Sequence, residues 1–273
     1  MDAVPFSKMS GSGNDFVLID HRRRFLDEDR LNAFVAGICR RRLSVGADGV
    51  ILIEPSQTAD FRWRFFNSDG SSAAMCGNGA RCAARFAHLQ GVCGPDMRFE
   101  TGAGEIEAHV SGRRVRVKMT DPGPLESGRR LELSNGSLGM SCIDTGVPHA
   151  VVLVDDVAAV DVAALGREIR FHPRFAPAGT NVDFISRERE GIAIRTYERG
   201  VEAETLACGT GSVAGALVAA VEFGLPAPVR VRTASGDTLT IAFTLQQGRY
   251  RDVHQEGDAR VVYTGVIRPE AWA

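Results

Sequence analysis

Two cysteines stand in matching surroundings, Met75-Cys76-Gly77-Asn78-Gly79-Ala80-Arg81 and Ala207-Cys208-Gly209-Thr210-Gly211-Ser212-Val213. Both segments read Cys-Gly-x-Gly and run into alanine-rich stretches of helical character. A thiol is a competent base only as the thiolate, and a helix N-terminus favours that form through its unpaired N–H groups and partial positive charge. Glycines beside the thiol let the backbone approach a ligand, and the same N–H groups can bind a carboxylate. Two such helices serving one substrate would cradle its carboxylate with a thiol on either side. A carbon between the thiols could lose a proton to one and gain it from the other, which inverts a stereocentre. A lone cysteine before a helix is more often a small buried residue, but two in register argue for function. Cys39, Cys82, Cys93 and Cys142 have no duplicate and read as core or surface fillers.

The elements around the two thiols repeat as well. Strand-like runs, Phe61-Arg62-Trp63-Arg64-Phe65-Phe66-Asn67 and Ile192-Ala193-Ile194-Arg195-Thr196-Tyr197-Glu198, precede the cysteines. Thr101-Gly102-Ala103-Gly104 and Thr233-Ala234-Ser235-Gly236 each begin 25 residues beyond their cysteine. Gly13-Asn14-Asp15-Phe16 parallels Gly146-Val147-Pro148-His149, and Gly46-Ala47-Asp48-Gly49 parallels Gly179-Thr180-Asn181-Val182. Five blocks in one order at near-equal spacing make two homologous halves rather than a solenoid, which needs at least about three repeats. The turn Thr120-Asp121-Pro122-Gly123-Pro124 is the expected hinge, placing the halves at residues 1–121 and 122–263. The class is α+β. Each half reads as short β-branched strands, such as Val115–Lys118, Val151–Val154 and Val229–Arg232, around one central helix. Those helices are expected from Gly79 to about Leu89 and from Gly211 to about Phe223, kept slim by their alanines, with an outer helix over Ala158–Ile169.

Composition narrows the function classes. The chain has 273 residues, 44% hydrophobic and 24% charged, with a formal net charge of −2, which favours neither a nucleic-acid nor a membrane surface. The short runs Arg22-Arg23-Arg24 and Arg40-Arg41-Arg42 read as solvated faces. The N-terminal stretch lacks a basic region followed by an apolar one, and no apolar run reaches the ~18 residues of a span, so a cytoplasmic protein with reduced thiols is expected. Cys76, Cys82 and Cys93 lack Cys-x-x-Cys spacing, so no metal site is expected.

Polar residues at the other repeat blocks complete a candidate site. Asn14, Asn67 and Asn181 sit at turn-like points beside strands, where asparagine also serves ordinary turn chemistry. Glu198-Arg199 could grip an amino acid's ammonium and carboxylate, or form a surface ion pair. His149 could tune a nearby thiol.

The segments FSKMSGSGNDFVLID, NSDGSSAAMCGNGARC, GVPHAVVLVDD, PAGTNVDF, YERG and ETLACGTGS together resemble the diaminopimelate epimerase family, in its order from Phe6 to Ser212. The resemblance implies two pseudo-symmetric domains, each a β-barrel-like sheet wrapped around a central helix, with the site between them and residues 264–273 returning to the first domain. It implies interconversion of LL- and meso-2,6-diaminopimelate without pyridoxal phosphate, metal or other cofactor, in lysine and peptidoglycan precursor synthesis. Cys76 and Cys208 match the catalytic pair, and His149 and Glu198 match residues that modulate the thiols. Asn14, Asn67, Asn181, Glu198 and Arg199 match substrate-binding positions. Gly77, Asn78, Gly209 and Thr210 match the helix starts that hold the reacting carboxylate. Tyr263 resembles a tyrosine at the family's dimer contact, so a homodimer is expected. The chain departs from the family's pattern at Val147, where many members have asparagine, and at Gly49, where some have glutamine. Three rivals are a proline-type racemase, one of the fold's cysteine-free isomerases, which the thiols disfavour, and a redox-sensing protein in which Cys76 and Cys208 form a regulated disulfide.

Overall fold

The computed structural model describes residues 3–272. The chain forms two compact units, residues 1–117 with 257–273, and residues 118–256.

In the first unit, β1 (Val4–Gly11) and β2 (Asn14–Asp20) form a hairpin whose turn, Ser12-Gly13, takes positive φ at both residues. Helix α1 (Leu31–Cys39) buries Leu31, Phe34, Val35 and Ile38, a helical spacing of apolar residues. Strand β3 (Gly49–Glu54) runs parallel to β2 and antiparallel to β4 (Phe61–Asn67). All six residues of β3 are buried, because helices cover it. A short β5 (Ser72–Ala73) leads into α2 (Gly77–Leu89), which packs on β1, β2 and β3. Strands β6 (Asp96–Thr101), β7 (Gly104–Ser111) and β8 (Arg114–Lys118) follow as an antiparallel meander, with β6 parallel to β4.

The second unit repeats this order. Strands β9 (Glu126–Leu133) and β10 (Gly136–Asp144) form a hairpin, and β11 (Pro148–Leu153) follows antiparallel to β10. Helix α3 (Val162–Arg170) lies against β12 (Asn181–Glu188) and β13 (Gly191–Glu198). Strand β12 is parallel to β11 and antiparallel to β13, as β3 is to β2 and β4. After β14 (Ala203–Thr205), helix α4 (Gly209–Glu222) packs on β10 to β13 and on β15 (Val229–Arg232) and β16 (Thr238–Gln246). Each central helix is thus enclosed by the strands of its own unit. Alanine and glycine make that possible: a Cβ at Gly215 would already lie 3.1 Å from both Ile185 and Ile194.

Strand β17 (Arg249–Asp258) leads back to the first unit, where β18 (Arg260–Ile267) pairs antiparallel with β1 from Val4 to Ser10. The return therefore starts at Gly257, ahead of the segment 264–273 expected from the resemblance, because the whole of β18 is needed to cover β1. Trp272 then packs edge-on against Phe34 of α1. No helix of the described residues is long and apolar enough to cross a membrane.

Candidate active site

The two cysteines occupy the same structural position in their units. Each is the N-cap of the central helix, with extended backbone, and its sulfur accepts a bond from the N–H three residues on. Cys76 Sγ accepts from Gly79 at 3.5 Å, and Cys208 Sγ from Gly211 at 3.4 Å. The sequence placed the helix starts at Gly79 and Gly211; the first turns begin two residues earlier because the thiols themselves cap them.

Around Cys76, the side chains form a connected polar chain. Asn78 is buried and donates to Asn14 Oδ1 at 2.7 Å, while Asn14 donates to Asp48 Oδ2 at 3.0 Å. Arg81 donates to Asn78 Oδ1 at 2.9 Å and to Ser12 at 2.8 Å. Arg41 bonds both Asp15, at 2.6 Å, and Asp48, at 2.8 Å, so it is not merely a solvated charge. The buried Lys8 ammonium meets Asp15 at 2.7 Å and also donates to the Gly46 carbonyl. Burial alone would raise the Asp15 carboxyl, but the bonds from Arg41 and Lys8 outweigh it and hold it below its ordinary range. Asn67, exposed at the end of β4, spends its amide on Ser71 of its own turn.

The surroundings of Cys208 are more deeply buried. His149 Nδ1 lies 2.7 Å from Asp183 Oδ2, with both side chains fully buried. Thr196 donates to the other Asp183 oxygen at 2.7 Å. Glu198 accepts from Thr205 at 2.9 Å, and burial pushes its carboxyl up, aided by the Asp183 charge. Burial, then the charges of Glu198 and Asp183, drive the Cys208 thiol well above its ordinary value, against the opposing bonds from Thr210 and Gly211. Thr210 Oγ1 stands 3.4 Å from Cys208 Sγ. Asn181 uses both ends of its amide, donating to the Pro148 carbonyl at 3.1 Å and accepting from the Arg199 N–H at 2.9 Å. Arg199 also donates to the Ala178 carbonyl at 3.4 Å. The Gly209 carbonyl accepts from Gln255 at 2.9 Å, and that of Thr210 from Thr145 at 3.2 Å.

Strand register refines the match between the halves. Phe16 pairs with Gly49 and His149 with Asn181, so Gly49, not Asp48, occupies the place of Asn181. A Cβ at Gly49 would strike the Phe66 carbonyl and lie 2.8 Å from the Phe65 ring, which leaves no room for a glutamine there without a backbone shift. Two residues on, Ile51 takes the place of Asp183, and its partner Phe65 that of Thr196. Sequence reading passed over Asp183. Its signal is a single acidic residue in the otherwise apolar, buried stretch Val182–Ile185. Tyr263 is on β18, stacked edge-on against Phe6, among the exposed Val261, Val262 and Val266.

Comparison with known proteins agrees with these features. The family model described as diaminopimelate epimerase matches residues 6–123 and 141–262. A diaminopimelate epimerase of Aquifex aeolicus is 48% identical over 280 residues, covering 98% of this chain and 99% of its own. One of Hydrogenobaculum sp. is 44% identical, covering 97% and 98%. Among solved structures, a phenazine biosynthesis protein of the PhzF family from Bacillus anthracis superposes with a TM-score of 0.72 at 15% identity, over 98% of this chain and 99% of that one, and shares the fold.

Proposed function

The chain belongs to the diaminopimelate epimerase family, and on that premise we propose that it interconverts LL- and meso-2,6-diaminopimelate by proton transfer through Cys76 and Cys208. One observation carries this reading: each half caps its central helix with a cysteine whose sulfur accepts a backbone N–H. The two thiols act on opposite faces of one α-carbon. One removes the proton as thiolate, and the other returns a proton as thiol. The N–H groups of Gly77-Asn78 and Gly209-Thr210 bind the α-carboxylate, where negative charge builds as the proton leaves. Burial and the charges of Glu198 and Asp183 favour the protonated form of Cys208, and the two thiols exchange acid and base roles with the direction of the reaction. The chain's residues supply the whole proton path in this reading, with no cofactor.

Asn14, Asn67, Asn181, Glu198 and Arg199 bind the remainder of the substrate, with the asymmetric polar groups of the two halves distinguishing its ends. His149 and Glu198 modulate the thiols. The apolar exposed residues around Tyr263 form the contact of a homodimer, and the enzyme works in the cytoplasm. The test is reduced protein with LL-diaminopimelate in deuterated water, followed by NMR. The wild type should exchange the α-hydrogen and form the meso isomer. Cys76→Ala and Cys208→Ala should each abolish epimerisation in both directions, and full activity in either variant would rule out the two-thiol mechanism.

A further inference from the structure

We propose that Asp183 is a positioning residue of the reaction: it fixes the His149 imidazole as the Nδ1-protonated tautomer, so that Nε2 offers a buried lone pair. The inference rests on the reading of His149 as a residue that modulates the thiols.

An ionised carboxylate only accepts hydrogen bonds. Asp183 Oδ1 accepts from Thr196 at 2.7 Å, and Oδ2 is left to accept from His149 Nδ1 at 2.7 Å. That places the ring hydrogen on Nδ1. His149 Nε2 is buried and has no partner among the described residues, although its other ring nitrogen is tightly held. A buried acceptor without a donor is costly, so its presence calls for an occupant supplied during turnover.

The first unit provides an internal control for the alternative that this network only holds the fold together. There, the positions of Asp183, His149 and Thr196 are filled by Ile51, Phe16 and Phe65. The first turn of α2 rests on Ile51, whose Cδ1 would be 3.3 Å from a Cβ at Gly79. The first turn of α4 rests in the same way on Asp183, whose Oδ1 a Cβ at Gly211 would strike. The same helix-on-strand packing is therefore built once from apolar side chains and once from a buried charge. Burying an ionised carboxylate beside an imidazole is no better for stability than well-packed apolar residues of similar size. The packing does not require Asp183, and the chemistry at Cys208 supplies its purpose.

Two measurements test this. In the unaltered reduced protein near pH 8, 15N NMR of the histidine rings should show His149 protonated at Nδ1 and bare at Nε2. A ring protonated on Nε2 alone, or on both nitrogens, overturns the proposal. In kinetics, Asp183→Asn should lower kcat by about 100-fold, in the range of a lost acid–base contribution, with KM changed by less than about threefold. Combined with His149→Gln, it should add less than about twofold to the loss from His149→Gln alone. The triple variant His149→Phe/Asp183→Ile/Thr196→Phe, which copies the first unit, should fold and lack activity. If His149→Gln is fully active, the modulating role of His149 fails. If His149→Gln is impaired while Asp183→Asn keeps the parent kcat, only the positioning role of Asp183 fails.

Discussion

Gly79 and Gly211 hold equivalent places in the first turns of α2 and α4, and the structure separates what alanine would do at each. Neither has positive φ, so alanine suits both backbones, and the helix itself should gain about 0.5–1 kcal/mol. At Gly79 the new methyl meets the tip of Ile51 at 3.3 Å and Trp63 and Cys76 at 3.5 Å, contacts that a small side-chain adjustment relieves. Gly79→Ala should stay within about 1 kcal/mol of the parent in stability. At Gly211 the methyl falls on Asp183 Oδ1, with Asp183 Cγ and Cys208 Cβ both at 3.2 Å. The carboxylate must retreat by roughly 1 Å to regain an ordinary contact. Its bonds to His149 and Thr196, both 2.7 Å, cannot both survive that shift. Overpacking costs about 1–3 kcal/mol, and a lost hydrogen bond to a charged group about 1.5–3 kcal/mol. Set against the helical gain, Gly211→Ala should lose about 2–5 kcal/mol, or about 5–15 °C in Tm for a chain of this size. Paired thermal melts of the two variants, with α-hydrogen exchange as the activity readout, test this. A Gly211→Ala protein that melts with the parent and keeps full exchange, or a Gly79→Ala protein equally damaged, would refute the equivalence of Ile51 and Asp183.

Two further outcomes follow from the ion cluster and the exposed strand. The Asp15 carboxyl is held below its ordinary value, so its contribution to stability is present above about pH 4 and disappears as pH falls through the lowered folded value. Asp15→Asn should cost about 2 kcal/mol in denaturant titrations at pH 7, less than a fully buried pair because Asp15 keeps some solvent contact, and the gap from the parent should close below about pH 4. A gap unchanged with pH would show that the carboxylate's charge is irrelevant. On β18, Val262 and Val266 are more than half exposed, and Val262→Glu/Val266→Glu should convert a dimer to monomer in sedimentation velocity. A parent protein that sediments as a monomer at micromolar concentration would remove β18 as an interface.

Much of this architecture was legible because its signals are local. Capping cysteines, glycines in the first turn and alanine-rich faces are read within a dozen residues, and both central helices follow from them. The strands Phe61–Asn67 and Val229–Arg232 have the bounds their sequence patterns suggest. Helix α1 also carries a helical apolar spacing, between the runs Arg22-Arg23-Arg24 and Arg40-Arg41-Arg42. The site chemistry was less legible because it depends on strand register. His149 and Asp183 are 34 residues apart and meet only through parallel pairing of β11 and β12. Aligning Gly46 with Gly179 shifts the following residues by one, and a shift of one in a strand exchanges its two faces. That slip hid the correspondence of Ile51 with Asp183, which is the clearest chemical difference between the halves.

The strand that returns at Gly257 has a consequence for the order in which the protein can be made. Residues 118–256 form a contiguous unit, whereas the first unit needs β18 along β1 and the Trp272 ring beside Phe34. Gly37 of α1 lacks a side chain at the point where Trp272 settles, with a Cβ there only 2.9 Å from that of the tryptophan. During synthesis the first-made half must therefore wait, with one side of β1 unpaired, until β18 leaves the ribosome. The later half can finish first. A nascent chain stalled after residue 256 would carry one completed unit and one open sheet edge, the species most prone to pairing with a neighbouring chain.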